Sequence, residues 1–415
     1  MKLWSQDTIR YMHYNLLNYG NGENFCTNTN NNIDFKEQCL RTIISYTHPE
    51  IVAVNEMKAD AAYIQRFLDN VLNIDGIGYY QAAQMTNFAN ATIINAFYYD
   101  SRKIGLRAQD VVLTQPRDIN IYKMYLKTND LATQHDTIFF YPVVAHLKAG
   151  ATSADETQRL AQANQLMQYL SLAYQPANFF LSGDFNFYSS SEAAFQIFTN
   201  YSDSLFRFHD PLNLPGSWNS NASFASIHTQ STHRTTVGCA ASGGLDDRFD
   251  FILVSQQIMS GAGRLRALPE TYKALGQDGQ HFNLSINEPP QNPNAPQDLA
   301  DALYGSSDHL PVLMDLVCDK PLAIPENSAN AILSVEYSNP CSQQISLKIS
   351  TSAATNLCYQ LIDNCAQIVL SGSLGRINGL SQHNINVSSL KKGYYTLRLS
   401  DGNTTGKSLK IIIFP

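Results

Sequence analysis

Residues 178–187, NFFLSGDFNF, pass from an apolar run directly into an aspartate and an asparagine two positions apart. A short apolar run bounded by polar residues is typical of a buried strand. Acidic and amide side chains are costly to bury unless they are paired, hydrogen-bonded or bound to a metal. We therefore expect Asp184 and Asn186 to belong to a polar site at the end of a core strand.

The chain is long enough for more than one hydrophobic core. It has 415 residues, of which 44% are hydrophobic, with 22 Tyr and 20 Phe, and chains beyond about 300 residues usually divide into domains. The composition is that of a globular protein rather than a disordered one. No apolar run approaches the length of a membrane span, so we expect no stable membrane insertion.

Two regions of different character follow each other along the chain. Up to Cys318, strand-like runs such as HPEIVAVNEM alternate with helix-like runs such as QRLAQANQLMQYLSLAY, which indicates an α/β domain of mixed sheets over residues 1–319. Residues 320–329, KPLAIPENSA, form a proline-containing linker. Residues 330–415 hold short strand-like runs punctuated by turns, which predicts a small all-β sandwich.

The seven cysteines are an odd number, so at least one thiol has no partner within the chain. Cys26 and Cys39 flank an Asn-rich loop, and Cys358 and Cys365 lie one hairpin apart, so both are plausible disulfide pairs. No CxxC pair occurs in the sequence, which argues against a structural zinc site.

Polar side chains recur at predicted strand boundaries throughout the first domain. Because loops at one end of a sheet converge, residues far apart in sequence can form one cluster there. Taken alone, each such residue is more often a solvated or hydrogen-bonded structural group than a functional one. The positions that share this feature are Asn15, Glu56, His146, Asp184, Asn186, Asp250, Asp308 and His309.

The order Asn, Glu, His, GDFN, RFDF and SDH along these boundaries resembles the endonuclease/exonuclease/phosphatase superfamily. That superfamily includes deoxyribonuclease I, abasic-site endonucleases, sphingomyelinases and inositol polyphosphate phosphatases. The resemblance extends over the first domain, and GDFN followed downstream by SDHLPV is its most specific part. It implies a four-layer α/β sandwich, in which two packed mixed β-sheets are flanked by helices and the active site lies at one end of the sheets.

The resemblance also implies a divalent metal ion. Glu56 would be the main ligand of Mg²⁺ or Mn²⁺, and Asn15 and Asp308 would complete or neighbour the site. Hard cations of this kind prefer oxygen ligands and keep several waters for a substrate phosphate.

The remaining positions would act on a phosphoester during its hydrolysis. Asp184 would align or deprotonate the attacking water, and Asn186 would donate a hydrogen bond to the phosphate, so that the two flank an in-line attack. His146 and His309 would stabilise the charge on the non-bridging oxygens. Asp250 would hold His309 in one tautomer and raise its pKa.

Two departures separate this sequence from the abasic-site branch of the superfamily. Those enzymes carry an aspartate two positions after the asparagine, where this chain has Leu17, and a tyrosine where it has His146. The deoxyribonuclease-like, phospholipase-like and phosphatase-like branches stay open.

Three further residues are weaker candidates for contacts with a substrate phosphate. Arg117 lies in QPRD, Lys148 in HLKAG, and His228 in a long Ser- and Asn-rich loop. Exposed basic residues are usually only solvated, and a long loop without a catalytic role is the more common case.

The C-terminal region resembles the sorting domain of proteins exported by the type IX secretion system of Bacteroidetes. SNP at 338–340 and SLKKGYYTLRL at 389–399 carry this resemblance, whereas Cys365 stands where such domains usually have glycine. It implies a protein that engages the secretion machinery and is secreted or held at the cell surface. The N-terminus MKLWSQDTIR has no apolar signal-peptide core, so either the chain is cytosolic or a signal peptide was removed. A composition rich in Asn, Ser, Thr and Tyr and poor in charge favours the second. A generic β-sandwich for carbohydrate binding or stability is the alternative.

The sequence thus predicts a secreted divalent-metal-dependent phosphoesterase, with nucleic acid as the favoured substrate and endonuclease as the favoured activity. The first 320 residues carry 21 Lys and Arg against 31 Asp and Glu, which is unusual for a tight binder of a polyanion. The alternative is a phosphodiesterase or phosphatase for phospholipid head groups, inositol phosphates or other small phosphoesters. A catalytically silent surface binding protein ranks last, because no motif residue is missing.

Overall fold

The computed structural model describes residues 8–21, 25–129, 131, 137–319, 332–351, 354–363, 367–400 and 407–414. The chain divides into two compact units, residues 1–324 and residues 325–415. The division falls within the predicted linker 320–329, which lies outside the described residues.

The first unit contains a six-stranded mixed sheet with, in spatial order, β11 (Leu265–Ala274), β12 (Val312–Cys318), β1 (Thr8–Tyr19), β2 (Ile51–Lys58), β4 (Ile93–Asp100) and β3 (Tyr80–Ala82). β1 and β2 pair in parallel, while the other pairs in this sheet are antiparallel. The parallel pair brings the ends of two strands to the same edge of the sheet.

A second six-stranded sheet has, in spatial order, β5 (Ile104–Val112), β6 (Ile119–Leu126), β7 (Phe139–His146), β8 (Phe179–Asp184), β10 (Asp250–Ser255) and β9 (Phe208–His209). Here too one pair is parallel, β7 with β8, and the other pairs are antiparallel. Each sheet therefore has one edge at which two parallel strands end side by side.

The two sheets pack face to face through aromatic side chains. Tyr11 of β1 stacks on Phe180 of β8 with ring centroids 5.6 Å apart, and the Tyr11 hydroxyl is hydrogen-bonded to Ser182. Phe97 of β4 stacks on Tyr122 of β6 at 4.4 Å. One hydrophobic core therefore joins the inner faces of both sheets.

The helices of the first unit are α1 (Ile33–Thr47), α2 (Ala61–Phe67), α3 (Ser153–Ala173), α4 (Ala193–Thr199), α5 (Gln256–Ser260) and α6 (Gln297–Ser306), with a π-helical turn at Leu68–Leu72 and 3-10 turns at Ser204–Phe206 and Ala222–Ile227. Leu40 of α1 and Leu303 of α6 join the core that includes the first sheet. Leu166 of α3 packs with Val143 and Leu181 of the second sheet. The predicted four-layer α/β sandwich is confirmed.

No helix within the described ranges is long and apolar enough to cross a membrane.

The second unit consists of a three-stranded sheet, β13 (Ile332–Tyr337), β14 (Gln344–Thr351) and β17 (Leu380–Asn386), and a four-stranded sheet, β16 (Ile368–Ile377), β15 (Thr355–Ile362), β18 (Gly393–Ser400) and β19 (Lys407–Ile413). Ile345 and Leu347 of the smaller sheet share one core with Leu361, Leu397 and Ile411 of the larger. The predicted small all-β sandwich is confirmed.

The disulfide in the first unit differs from the expected one. Cys26 bonds to Cys239, so the predicted pair of Cys26 with Cys39 is wrong. Cys39 lies on the buried face of α1, with an exposed fraction of 7%, where its side chain packs in the core. The other predicted pair involves Cys365, which lies outside the described residues.

We predict that Cys26→Ser combined with Cys239→Ser lowers the free energy of unfolding of the first unit by about 2–4 kcal/mol. The bond joins residues 213 positions apart and therefore restricts the unfolded chain strongly. Urea denaturation followed by tryptophan fluorescence measures the change, since both tryptophans lie in this unit. Reductant should destabilise the wild type and leave the double variant unchanged; equal stability of the wild type with and without reductant would contradict the prediction.

Candidate active site

The strand ends of both sheets bring polar residues from distant parts of the chain together. Parallel pairing sets Asn15 of β1 opposite Asn55 of β2, next to Glu56. In the second sheet, His146 of β7 and Asp250 of β10 both lie in register with Asp184 of β8. Asp184, in the stretch of residues 178–187, therefore lies in a polar cluster at the end of the buried strand β8.

Side chains from the two sheets meet at this cluster. The amide nitrogen of Asn15 donates to Glu56 Oε1 and to Asp184 Oδ2, each at 3.0 Å. His146 Nε2 lies 3.5 Å from Asp184 Oδ2 and 4.0 Å from Glu56 Oε1. One ligand-type atom each from Glu56, His146 and Asp184 lies within 4.8 Å of the other two. This spacing is compact enough for a single ion.

The backbone at the cluster is strained. Glu56 has φ of +61°, and Leu17, Asn18 and Asn186 have φ of 48°, 51° and 53°. Non-glycine residues in this left-handed region cost of order 1–3 kcal/mol each and persist where surrounding contacts hold them. Asparagine takes this conformation more readily than most residues, so Glu56 and Leu17 carry most of the strain.

Between Asn15 and Tyr19 the pairing of β1 with β2 shifts register. This irregular segment, the turn of residues 16–18, fixes the Glu56 carboxylate. The backbone N–H and the side-chain amide of Asn18 both donate to Glu56 Oε2, at 2.9 and 3.1 Å. The Leu17 N–H donates to Asn15 Oδ1 at 3.0 Å. The strained turn thus orients both an amide and a carboxylate of the cluster.

The carboxylates of the cluster are crowded and poorly solvated. Burial raises the pKa of Asp184 to about 7; His309 opposes this shift, whereas Asp250 and Glu56 add to it. Burial, followed by the charge of Asp308, also raises the pKa of Glu56. The Nδ1 of buried His146 has no hydrogen-bond partner among the described residues. Carboxylate oxygens and an imidazole held this close fit a divalent cation, whose charge would offset their repulsion.

His309 and Asp250 form a buried pair beside the cluster. His309 Nδ1 lies 2.7 Å from Asp250 Oδ2, and His309 Nε2 lies 3.7 Å from Asp184 Oδ2. Burial opposes a charge on His309, but Asp250 and Asp184 outweigh it and raise its pKa well above the ordinary value. By contrast, burial and then Arg117 lower the pKa of His146 well below it. One histidine is therefore suited to carry a charge and the other to stay neutral.

The observed group of ligand atoms shares only Glu56 with the predicted metal set of Asn15, Glu56 and Asp308. Asn15 presents its amide nitrogen to the carboxylates, while its oxygen accepts from Leu17. Asp308 Oδ2 accepts from the Ala241 N–H at 2.8 Å, and Asp308 Oδ1 lies 4.0 Å from His309 Nε2. Asp308 thus borders the cluster.

Asn186, for which we predicted a hydrogen bond to the substrate phosphate, donates to Asp184 in the structure. Its backbone N–H and its amide nitrogen donate to Asp184 Oδ1 at 3.1 and 2.8 Å. The second oxygen of Asp184 therefore faces Asn15, His146 and His309.

Arg117 and Lys148 lie next to the strand that ends at His146. Arg117 donates to the carbonyls of His146 and Leu147 at 3.2 and 2.8 Å. The ammonium group of Lys148 lies 2.8 Å from Asp155 Oδ1. Both side chains are thus engaged by the protein itself at the edge of the cluster.

The structure does not bring His228 to the cluster. This histidine is fully buried, with Nε2 2.8 Å from the Trp218 carbonyl and Nδ1 3.3 Å from the Leu245 carbonyl. Its predicted phosphate contact is wrong, because both ring nitrogens are occupied by backbone oxygens. The ring instead joins two segments of the long loop region.

Several supporting residues escaped the sequence analysis, among them Asn18 and also Gln230, whose Nε2 lies 2.7 Å from His309 Nε2. Asn55 Oδ1 accepts from the Asp184 N–H at 2.9 Å, and buried His13 has Nε2 3.9 Å from Asp250 Oδ1. Asn55 directly precedes Glu56 in VNEM, so a second polar residue at a strand end was available as a signal. His13 lies between Met12 and Tyr14 in β1, and nothing in the sequence marked it as part of the site.

We predict a pH-dependent stability difference between the wild type and Asp184→Asn in EDTA. Because the fold raises the pKa of Asp184 from 3.8 to about 7, the native state binds more protons than the unfolded state between these values. As the pH rises through that window, the wild type should lose stability relative to the variant by up to about 1.4 kcal/mol per pH unit. Urea denaturation from pH 4 to 8 measures this difference, and a constant difference would contradict the prediction.

Comparisons with known proteins identify the C-terminal unit. Residues 336–414 match the family described as secretion system C-terminal sorting domain. No curated protein shows significant similarity to the chain.

Several solved structures resemble the first unit. The catalytic domain of human Nocturnin, with bound sulfate anion, is 17% identical, with a TM-score of 0.47 over 75% of this chain and 96% of that one. An endonuclease/exonuclease/phosphatase family protein from Bacteroides thetaiotaomicron is 13% identical, with a TM-score of 0.48 over 76% and 99%. A mannosyl-6-phosphatase from the same species is 13% identical, with a TM-score of 0.44 over 74% and 99%.

The first unit is thus a four-layer α/β sandwich, and residues 336–414 of the second unit match the family described as secretion system C-terminal sorting domain.

Proposed function

We propose that the protein is a secreted divalent-metal-dependent phosphoesterase, and that it is an endonuclease for DNA or RNA. The observation that carries this proposal is the convergence of Glu56, His146 and Asp184 beside the buried pair of His309 and Asp250. It supplies oxygen and nitrogen ligands, a base and a cationic group at one point. These are the parts that hydrolysis of a phosphoester requires.

Mg²⁺ or Mn²⁺ is the cofactor that we propose for this site. Glu56 would be its main ligand, with Asn15 and Asp308 completing or neighbouring the site and His146 within reach. When bound, such an ion polarises the phosphoryl group and offsets its negative charge. The strained turn and the amides that orient Glu56 are consistent with a carboxylate kept ready for a ligand.

Asp184 is the proposed base. Its pKa, raised to about 7 by burial, lies where a general base works best near neutral pH. Asp184 Oδ2 would accept a proton from water as the water oxygen bonds to phosphorus and the ester oxygen leaves on the opposite side. Asn186, which now donates to Asp184 Oδ1, would hold the carboxylate and the phosphate in line.

His309 and His146 have different proposed roles because their pKa values shift in opposite directions. Burial opposes a charge on His309, but Asp250 and Asp184 raise its pKa, so a protonated His309 would stabilise charge that grows on a non-bridging oxygen. His146 is kept neutral by burial and would serve as a neutral donor or as a metal ligand. Asp250 would orient His309 through the 2.7 Å contact to Nδ1.

One cavity favours a second candidate, a small phosphoester as substrate. A cavity of about 320 Å³ lies between Leu17 and Ser307, against Phe35 and the rings of His233 and Tyr304, which are tilted by 32° to each other. Its described lining includes Asp301 and no Lys or Arg. An uncharged group of a small substrate fits such a wall better than a strand of phosphates does. Phospholipid head groups, inositol phosphates and similar esters belong to this candidate.

A substrate panel separates the two candidates. Wild type, Asp184→Ala and the surface control Asp69→Ala are assayed on plasmid DNA, RNA, sphingomyelin and bis-p-nitrophenyl phosphate with Mg²⁺, Mn²⁺ or EDTA. We expect metal-dependent cleavage of DNA or RNA that falls by roughly 10²–10⁴-fold in Asp184→Ala and is unchanged in the control. Cleavage of only the lipid or the small diester would favour the second candidate, and full activity of Asp184→Ala would exclude the proposed base.

We propose that the sorting domain directs export and takes no part in catalysis. Deletion of residues 330–415 should therefore leave the phosphoesterase activity in cell lysates unchanged and abolish its appearance in the medium and on the cell surface. Activity in each fraction measures the outcome. Export of the truncated protein would refute the sorting role.

A further inference from the structure

Lys36 is a lysine that the fold buries almost completely. It lies in the first turns of α1, and its exposed fraction is 2%. Lysine is almost never fully buried without a partner. Burial lowers the pKa of Lys36 to about 7, and the charges of Asp308 and Glu56 oppose this shift. A lysine buried at this position therefore requires specific partners for its amino group.

The ammonium group of Lys36 holds two backbone carbonyls. Nζ donates to the oxygen of Leu16 at 2.6 Å and to the oxygen of Leu17 at 2.8 Å. These carbonyls belong to the turn of residues 16–18, in which Leu17 and Asn18 take the left-handed conformation. A turn with two strained residues persists only if contacts from outside hold it.

The same turn receives a second support from the Asn-rich loop. The amide nitrogen of Asn31 donates to the carbonyls of Leu17 and Asn18 at 3.0 and 3.2 Å. Asn31 is half-buried, whereas Lys36 is fully enclosed. Lys36 is therefore the inner support of the turn, and Asn31 is the outer one.

The turn of residues 16–18 in turn holds the carboxylate of Glu56. Both donors of Asn18 converge on Glu56 Oε2, and the N–H of Leu17 holds the oxygen of Asn15. A shift of the turn would release the carboxylate from two hydrogen bonds at once. The contacts thus form a continuous path from Lys36 to Glu56.

We infer that Lys36 is a positioning residue, whose buried ammonium group holds the turn of residues 16–18 and thereby keeps the Glu56 carboxylate ready for a divalent cation. The link from Lys36 to Glu56 is made entirely by the chain's own residues. Its effect on metal affinity rests on the proposed function, because it requires the site to bind a metal.

A pair of variants separates this role from the general effect of removing a lysine that donates to the backbone; Lys36 is buried and Lys127 is half-buried. Lys36→Met keeps the apolar stem and removes the donors. Lys127→Met is the control, since Lys127 Nζ also donates to a backbone carbonyl, that of Ser101 at 2.6 Å. Lys127 directly follows the last residue of β6, whereas Arg117 precedes the first. Lys36→Leu, which also removes the donors and keeps an apolar side chain, replaces Lys36→Met if that variant does not fold.

Hydrogen exchange of the metal-free proteins in EDTA tests the path directly. The amides of Leu17 and Asn18 should exchange about tenfold faster in Lys36→Met than in the wild type, and at the wild-type rate in Lys127→Met. Unchanged exchange of these amides in Lys36→Met would overturn the inference.

Calorimetric titration with Mn²⁺ tests the consequence for the site. The Kd should rise about 10- to 100-fold in Lys36→Met and stay unchanged in Lys127→Met. An unchanged Kd in Lys36→Met, with a wild type that binds Mn²⁺, would overturn the positioning role alone. A wild type that binds no Mn²⁺ would contradict the proposed metal site, and hydrogen exchange would then still decide whether Lys36 holds Glu56.

Discussion

Crowded carboxylates at the meeting point of two sheets are the constraint on which the first unit depends. Glu56, Asp184 and Asp250 are drawn together where water is largely excluded, so each needs donors or an opposite charge. Asn15 donates to two of them, and His309 is paired with the third. What remains uncompensated is negative charge at one point, and a divalent cation is the simplest group that removes it.

The architecture explains why this point lies where it does. Each sheet has one parallel pair whose strands end side by side, so Asn15 with Glu56 and His146 with Asp184 meet when the sheets pack face to face. Leu17, Asn18 and Glu56, which have positive φ, lie within β1 and β2 where the pairing of these strands shifts register, and Asn186 follows β8. Asn18 donates to Glu56 at this irregular segment, and buried Lys36 donates to the carbonyl of Leu16.

Local sequence patterns predicted the polar strand ends well, because an apolar run that stops at a polar residue marks both the strand and its boundary. The site around Asp184 followed from these patterns and from the order of the motifs. The disulfide between Cys26 and Cys239 could not be predicted from the sequence, because the two residues are 213 positions apart and Cys239 lies in a loop without a periodic pattern. Lys36 gave no signal, because only the packed structure shows that a helix lysine points inward. His228 was predicted to contact substrate because it lies in a Ser- and Asn-rich loop, which the sequence suggests is exposed, whereas the fold buries its side chain.

The C-terminal unit has its own hydrophobic core.

The most direct test of a metal ion at the cluster of Glu56, His146 and Asp184 is an anomalous difference map from crystals soaked in Mn²⁺. We predict one peak at about 2.1 Å from a carboxylate oxygen of Glu56, within the space bounded by His146 and Asp184. A map with no peak there, at a Mn²⁺ concentration that supports activity, would contradict the account.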